Sequence, residues 1–118
     1  FDDTKPLAEQ GSATAQYVLG VLYDNGEGTP QDYKEALRWF RAGAEQGDAG
    51  AQLSLGLMYA NGEGTPQDNK LAHMWWNLAA AAGNQTAKTN RDIVAGEMTP
   101  ADISDAQQMA SDWMKAHP

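Results

Sequence analysis

The acidic segment Asp24–Thr29 has the residue types of a calcium-binding loop. Carboxylate and amide oxygens are the ligands that Ca²⁺ prefers, and an EF-hand loop needs oxygen ligands at its third and fifth positions and glycine at its sixth. Counted from Asp24, these three positions hold Gly26, Gly28 and Thr29. Because glycine offers no side-chain oxygen, we interpret the segment as a turn between two elements.

Motifs for nucleophilic and cofactor chemistry are missing as well. The residues three positions after the four serines Ser12, Ser54, Ser104 and Ser111 are Ala, Leu, Gln and Met, so no Ser-x-x-Lys motif is present. No predicted strand precedes the Gly-x-Gly segments, which argues against a dinucleotide site. The chain has no cysteine, which excludes disulfides, thiolate zinc sites and cysteine nucleophiles.

Histidines and carboxylates complete the search for chemistry. His73 and His117 lack the spacing of a helical metal motif. Asp32, Asp48 and Asp68 are expected to cap helices, although a catalytic carboxylate pair stays open as an alternative. We therefore predict that the protein is not an enzyme and has no catalytic residues, metal site or cofactor.

Composition narrows the class of protein and of partner. The 118 residues are 42% apolar and 20% charged, which is typical of one folded domain. The net charge of −8 and the pI of about 4.4 disfavour a nucleic acid or an anionic membrane as partner. The chain contains no run of eighteen apolar residues, so membrane insertion is not predicted. Since the chain begins at Phe1, we expect a processed protein or part of a longer one.

An internal repeat of 36 residues organises the chain. When residues 9–44 are aligned with residues 45–80, 21 of the 36 positions are identical, and the block from Asn25 to Asp32 recurs unchanged from Asn61 to Asp68. Such self-similarity is typical of repeat proteins, in which each unit stacks on its neighbours.

Each unit is predicted to fold as two helices, A and B. Ser12, Asp48 and Asn84 stand at N-cap positions of A helices, which should run to about Asp24 and Ala60 in the first two units. Gly26 and Gly62 suit left-handed C-caps. Helix B should begin at Asp32 and Asp68, and Glu35 completes a capping box with Asp32. The four tryptophans, Trp39, Trp75, Trp76 and Trp113, are expected in the core.

The third unit departs from the pattern after its first helix. Thr99 and Pro100 open a different helix, because threonine is a good N-cap and proline fits the first helical turn. We interpret this helix as a cap on the exposed end of the array. The predicted organisation is a single domain that comprises 1–11 as the end of an incomplete unit, 12–47 and 48–83 as full repeats, 84–97 as a half repeat and 98–118 as the capping helix.

These residues resemble the Sel-one-like repeat, a branch of the tetratricopeptide-like (TPR-like) solenoids. The resemblance rests on Ala15-Gln16-x-x-Leu19-Gly20-x-x-Tyr23, followed by Gly26-x-Gly28, Asp32, Ala36, Trp39 and Gly47, and on the second copy from Ala51 to Gly83. It implies an all-α, right-handed α/α superhelical solenoid with a C-terminal capping helix. It also implies an adaptor or scaffold role with a protein or peptide partner, and it favours a periplasmic or secreted bacterial location.

Besides the apolar stripe that includes Leu19 and Tyr23, the A helices carry a second apolar row, and this row is the candidate binding surface. Tyr17 and Val21 in the first unit correspond to Leu53 and Leu57 in the second. In such solenoids the A helices line the concave surface, where peptides bind. We expect partner contacts from four apolar and four polar residues: Tyr17, Val21, Leu53 and Leu57, with Gln16, Asn25, Gln52 and Asn61. The alternative is that these residues only pack helix A against its neighbours.

Two other functions stay open from the sequence. One is a hydrolase that acts on cell-wall or β-lactam-like substrates; the resemblance raises it through cysteine-rich members, whose cysteines are absent here. The other is a structural segment that oligomerises through its concave face. The oligomeric state does not follow from the sequence.

Overall fold

A computed structural model describes residues 1–118 as a stack of α-helices without strands. Its principal extents of 44 × 29 × 21 Å make it elongated, as expected of units that contact only their neighbours along a line. The seven helices are α1 Thr4–Glu9, α2 Ala13–Asn25, α3 Tyr33–Glu45, α4 Ala49–Asn61, α5 Asn69–Ala81, α6 Gln85–Ala95 and α7 Pro100–Ala116.

The helix ends follow from residues within one turn of each end. The side chains of Ser12, Asp48 and Asn84 accept hydrogen bonds from the backbone N–H three residues later, which confirms them as N-caps. Gly26 and Gly62 adopt left-handed conformations, with φ of 71° and 69°, and end α2 and α4 as predicted.

The capping box predicted for α3 forms only in part. Asp32 accepts from the backbone N–H groups of Lys34 and Glu35, as an N-cap should. Its own N–H donates instead to the carbonyl of Tyr23 at 3.0 Å, and the Glu35 carboxylate pairs with Arg38. The same link from Asp68 to Tyr59 recurs in the second unit, so the loop is tied back to the preceding helix rather than closed locally.

Helices A and B of each unit approach closely at a glycine. A Cβ built on Gly20 would lie 2.6 Å from the Phe40 ring, and one on Gly56 would lie 2.4 Å from Nε1 of Trp76. These distances are shorter than van der Waals contact, so both positions need a residue without a side chain. Around them a continuous apolar core runs through all units, with Leu19, Phe40 and Leu55 among its most buried members.

The last helix, α7, covers a side of α5 that would otherwise be exposed. Ala106 and Ala110 of α7 are fully buried, and Trp113 packs edge-on against Trp75 with ring centroids 6.1 Å apart. Trp39, Trp75 and Trp76 lie in the core as predicted, whereas Trp113 is only half-buried. The chain is thus an all-α solenoid of repeated helical hairpins. No helix combines the length and the apolar content that a membrane crossing requires.

Candidate functional site

The apolar residues predicted to bind a partner lie on one side of the stack. Tyr17 and Val21 on α2, and Leu53 on α4, are half-buried, whereas Leu57 is 40% exposed. The two A helices α2 and α4 contact each other directly, so these side chains belong to one surface. Asn25 and Asn61 are exposed at the C-terminal ends of the same helices.

Gln16 and Gln52 lie in the interior, at odds with the prediction that they contact a partner. Their amide nitrogens donate to the carbonyls of Ala8 and Ala44, at 3.1 and 3.2 Å, and so join each A helix to the end of the preceding B helix. The amide of Gln46 also donates to Oε1 of Gln16. Because these bonds span stacked units, they are invisible in the helical pattern of a single unit. We therefore leave both glutamines out of the proposed surface.

Tyr17 has a packing role as well as an accessible edge. The centroids of the Tyr17 and Phe40 rings are 6.0 Å apart, and a Cβ built on Gly50 would lie 3.3 Å from the Tyr17 ring. Leu53 likewise packs against the core, and its carbonyl accepts a hydrogen bond from Nε1 of Trp76 at 3.0 Å. The most accessible predicted apolar residue is therefore Leu57.

Ile93 on α6 extends this surface and was missed by sequence reasoning. It is 65% exposed, the highest value among the large apolar residues. The repeat spacing could have identified it, because Val21, Leu57 and Ile93 are separated by 36 residues each. We call Tyr17, Val21, Leu53, Leu57 and Ile93 the A-helix row.

A pocket of about 210 Å³ opens between α4 and α6, and Trp76 of α5 contributes to its wall. Leu57, Ile93 and Val94 supply further apolar surface. Polar groups surround them, contributed by Asn61, Gln67, Asn69, Asn90 and Glu97. We call this cavity the α4–α6 pocket.

The corresponding place between α2 and α4 has no such pocket. Most of the lining positions differ between the repeats, and among them Tyr33 at the start of α3 corresponds to Asn69 at the start of α5. The Tyr33 hydroxyl accepts a hydrogen bond from Gln31, just as Asn69 Oδ1 accepts from Gln67. The tyrosine side chain is larger than the asparagine that lines the pocket.

Carboxylates gather beside the A-helix row. Partial burial, and then the charge of Glu63, raise the pKa of Asp24 above its ordinary value. A hydrogen bond to Glu63 and its charge raise the pKa of Tyr33. Asp24 lies at the end of α2 and Glu63 in the loop after α4, so stacking brings together two acids that are 39 residues apart in the sequence.

The structure places His73 in the core rather than in a site. It is only 3% exposed, and its Nδ1 has no hydrogen-bond partner. Burial, and secondarily the positive charge of Arg91, lower its pKa, while Asp92 opposes the shift. No group of three or more His, Cys, Asp or Glu residues is arranged to hold a metal ion.

Because the pKa of His73 is lowered by burial, we expect the free energy of unfolding to depend on pH. Below its ordinary pKa of 6.5, the unfolded chain binds a proton that the folded chain does not, so the free energy of unfolding should fall as the pH falls, until the folded pKa is passed. The variant His73→Leu, with the residue found at the equivalent position 37, should have a flatter profile. Urea unfolding of both proteins between pH 8 and pH 5 measures this difference. Parallel profiles would contradict the assignment.

Comparisons with known proteins agree with the repeat geometry. The family model described as Sel1 repeat matches residues 13–48 and 49–84, which is more than half of the chain. The chain is similar to the crystal structure of c5321, a protective antigen present in uropathogenic Escherichia coli strains and displaying an SLR fold. The TM-score is 0.92 at 29% identity, over 95% of this chain and 24% of that one.

Two further relatives share the repeat. A Sel1 repeat protein from Oxalobacter formigenes matches with a TM-score of 0.72 and 44% identity, over 73% of this chain and 25% of that one. A chitin synthase regulator, SKT5, of Malassezia restricta is 49% identical over 37 residues, which are 31% of this chain and 3% of that protein. The chain therefore spans about a quarter of the two solved structures, and a far smaller part of the fungal regulator.

Proposed function

The chain belongs to the Sel1 repeat family, and from this premise we propose that it binds a protein or peptide through the A-helix row and is not an enzyme. Sel1 repeat proteins are generally protein-interaction scaffolds. The choice of surface and the absence of catalysis are the parts proposed for this chain. Asn25 and Asn61, exposed at the ends of α2 and α4, are the proposed polar contacts.

The observation that carries the proposal is the exposure of Leu57 and Ile93 at equivalent repeat positions. An isolated exposed apolar side chain needs no explanation, but a row that recurs with the repeat and lines a pocket is typical of an interaction surface. In a stack of helical hairpins, such a row gives a partner segment contacts on several units at once.

The test uses peptide selection with two matched variants. Leu57→Glu places a charge in the row, whereas Met114→Glu places the same charge on α7, at a residue of similar exposure, 43% against 40%. Peptides selected from a random twelve-residue library on the wild type should lose roughly tenfold or more in affinity on Leu57→Glu and little on Met114→Glu. Both variants should keep the wild-type helicity and melting temperature, because both sites are exposed.

Two results would contradict the proposal. One is the absence of any saturable peptide, and the other is a set of peptides that bind both variants equally. Sedimentation of the wild type separates the oligomerisation alternative, since a dimer that Leu57→Glu dissociates would identify the row as a self-association surface.

A further inference from the structure

Charge along the first two A helices, α2 and α4, has one sign. Residues 12–32 and 48–68, which contain α2, α4 and the loops that follow them, have six acidic residues and no Lys or Arg. The acids are Asp24, Glu27, Asp32, Asp48, Glu63 and Asp68. Four of the chain's eight basic residues lie instead on the B helices, at positions 34, 38, 41 and 70. These two segments together therefore carry a net charge of −6.

The one carboxylate in the lining of the α4–α6 pocket has no cationic partner within the chain. The ion pairs of the structure join Glu35 to Arg38, Lys70 to Asp102 and Asp105, and Arg91 to Asp92. Glu97, in the pocket lining, is not among them. The charge of Glu97 is thus available to a cation from outside.

The basic residues of α6 do not neutralise the negative charge of Glu97. At 3.6 residues per turn, Lys88 and Arg91 lie about 140° and 160° around the helix from Ile93. Arg91 also donates to Asn77 of α5 at 2.9 Å, which holds it away from the pocket.

The volume of the pocket limits what it can hold. About 210 Å³ lies below the roughly 300–1,000 Å³ of small-molecule sites, and it suits one side chain of a longer ligand. Apolar walls from Leu57, Ile93 and Trp76 favour an aromatic or branched aliphatic group.

We propose that the α4–α6 pocket takes one aromatic or branched aliphatic side chain of a partner polypeptide, and that Glu97 pairs with Lys or Arg beside that side chain. This inference rests on the proposed function and gives it a partner chemistry. Asn69 lines the pocket and corresponds to the larger Tyr33 of the first repeat, and in this proposal the smaller side chain keeps the pocket open.

The repeats themselves supply the variants that test this. Asn69→Tyr should close the pocket while keeping α5, since tyrosine already begins α3 at the equivalent position. Gln107→Tyr, on the exposed side of α7, controls for the added ring. Glu97→Gln removes the charge of the lining carboxylate at constant size. Circular dichroism and melting of each variant establish that it is folded.

The probes are labelled twelve-residue peptides with one central Trp flanked on each side by two Lys, in a Gly/Ser background. We expect saturable anisotropy changes, with roughly tenfold or greater loss when Trp is replaced by Ser or when Asn69→Tyr is used. Glu97→Gln and added salt should weaken binding, because the pairing is partly electrostatic. Peptides with Glu in place of Lys should not bind.

The outcomes separate this inference from the broader proposal. If no Lys-flanked peptide binds, if Asn69→Tyr leaves affinity unchanged, or if the Ser peptide binds equally well, the inference is wrong. If selected peptides depend on Leu57 but not on Asn69→Tyr or on Lys, the A-helix row still binds peptides and only this chemistry fails. A dimer that Asn69→Tyr dissociates would make a second copy the occupant and overturn the inference.

Discussion

Ala110→Asp is expected to detach α7 from the rest of the protein, at a cost of roughly 3–5 kcal/mol in docking free energy. Ala110 is fully buried within the apolar core, where α7 packs on α5. A carboxylate at this fully buried position must either lose its hydration or force the helices apart. We expect the helices to separate, because units of a solenoid are held only by neighbouring interfaces.

Tryptophan emission and proteolysis measure this detachment. Separation of α7 exposes Trp75 and Trp113, so their emission should shift to the red, and cleavage near Gly96–Thr99 should become rapid. Gln107→Asp on the exposed face of the same helix is the control, expected to change stability by no more than about 0.5 kcal/mol. Wild-type emission and protease resistance in Ala110→Asp would show that the cap does not depend on this contact.

The second large effect is expected from Gly56→Ala, which should destabilise the protein by about 2 kcal/mol. Alanine normally favours a helix over glycine by roughly 0.5–1 kcal/mol, so a loss reverses the usual sign. The reason is the new Cβ, which would lie 2.4 Å from Nε1 of Trp76. The indole is rigid and is held by its hydrogen bond to the Leu53 carbonyl, so the two helices must move apart.

Urea unfolding of three further proteins tests the cause of this loss. Ser54→Ala, in the same helix but at a residue that already has a Cβ, should be close to neutral. In a double-mutant cycle with Trp76→Leu, Gly56→Ala should cost less than it does alone, because the smaller side chain removes the clash. An equal cost in both backgrounds would contradict the steric explanation. If this movement opens the α4–α6 pocket, the affinity for any peptide that binds there should also fall.

Local sequence determined the limits of the helices. Ser12, Asp48 and Asn84 accept from an N–H three residues away, and Gly26 and Gly62 end their helices by their own backbone conformation. These interactions involve atoms within one turn of the chain, so residue type and spacing are enough to predict them. The 36-residue period likewise predicted the stacked hairpins, because identical units bury the same faces.

Tertiary stacking decided which residues are accessible. Gln16 and Gln52 are buried because the preceding B helix supplies an acceptor carbonyl, a group that lies outside their own helix. The repeat is also imperfect in ways that only contacts make visible. Oε1 of Gln52 is buried without a donor because Ala82 stands where Gln46 serves Gln16.

The candidate site shows the same division between sequence and structure. The apolar row along the A helices and the lack of Lys and Arg on α2 and α4 follow from residue types and spacing alone. The stacking of the units, by contrast, leaves Leu57 and Ile93 exposed, opens a pocket beside Asn69 and brings Glu63 close to Asp24. These features do not follow from local sequence, because burial, cavities and charge pairing depend on residues about 36 positions away in the chain. Such residues meet only when the units stack.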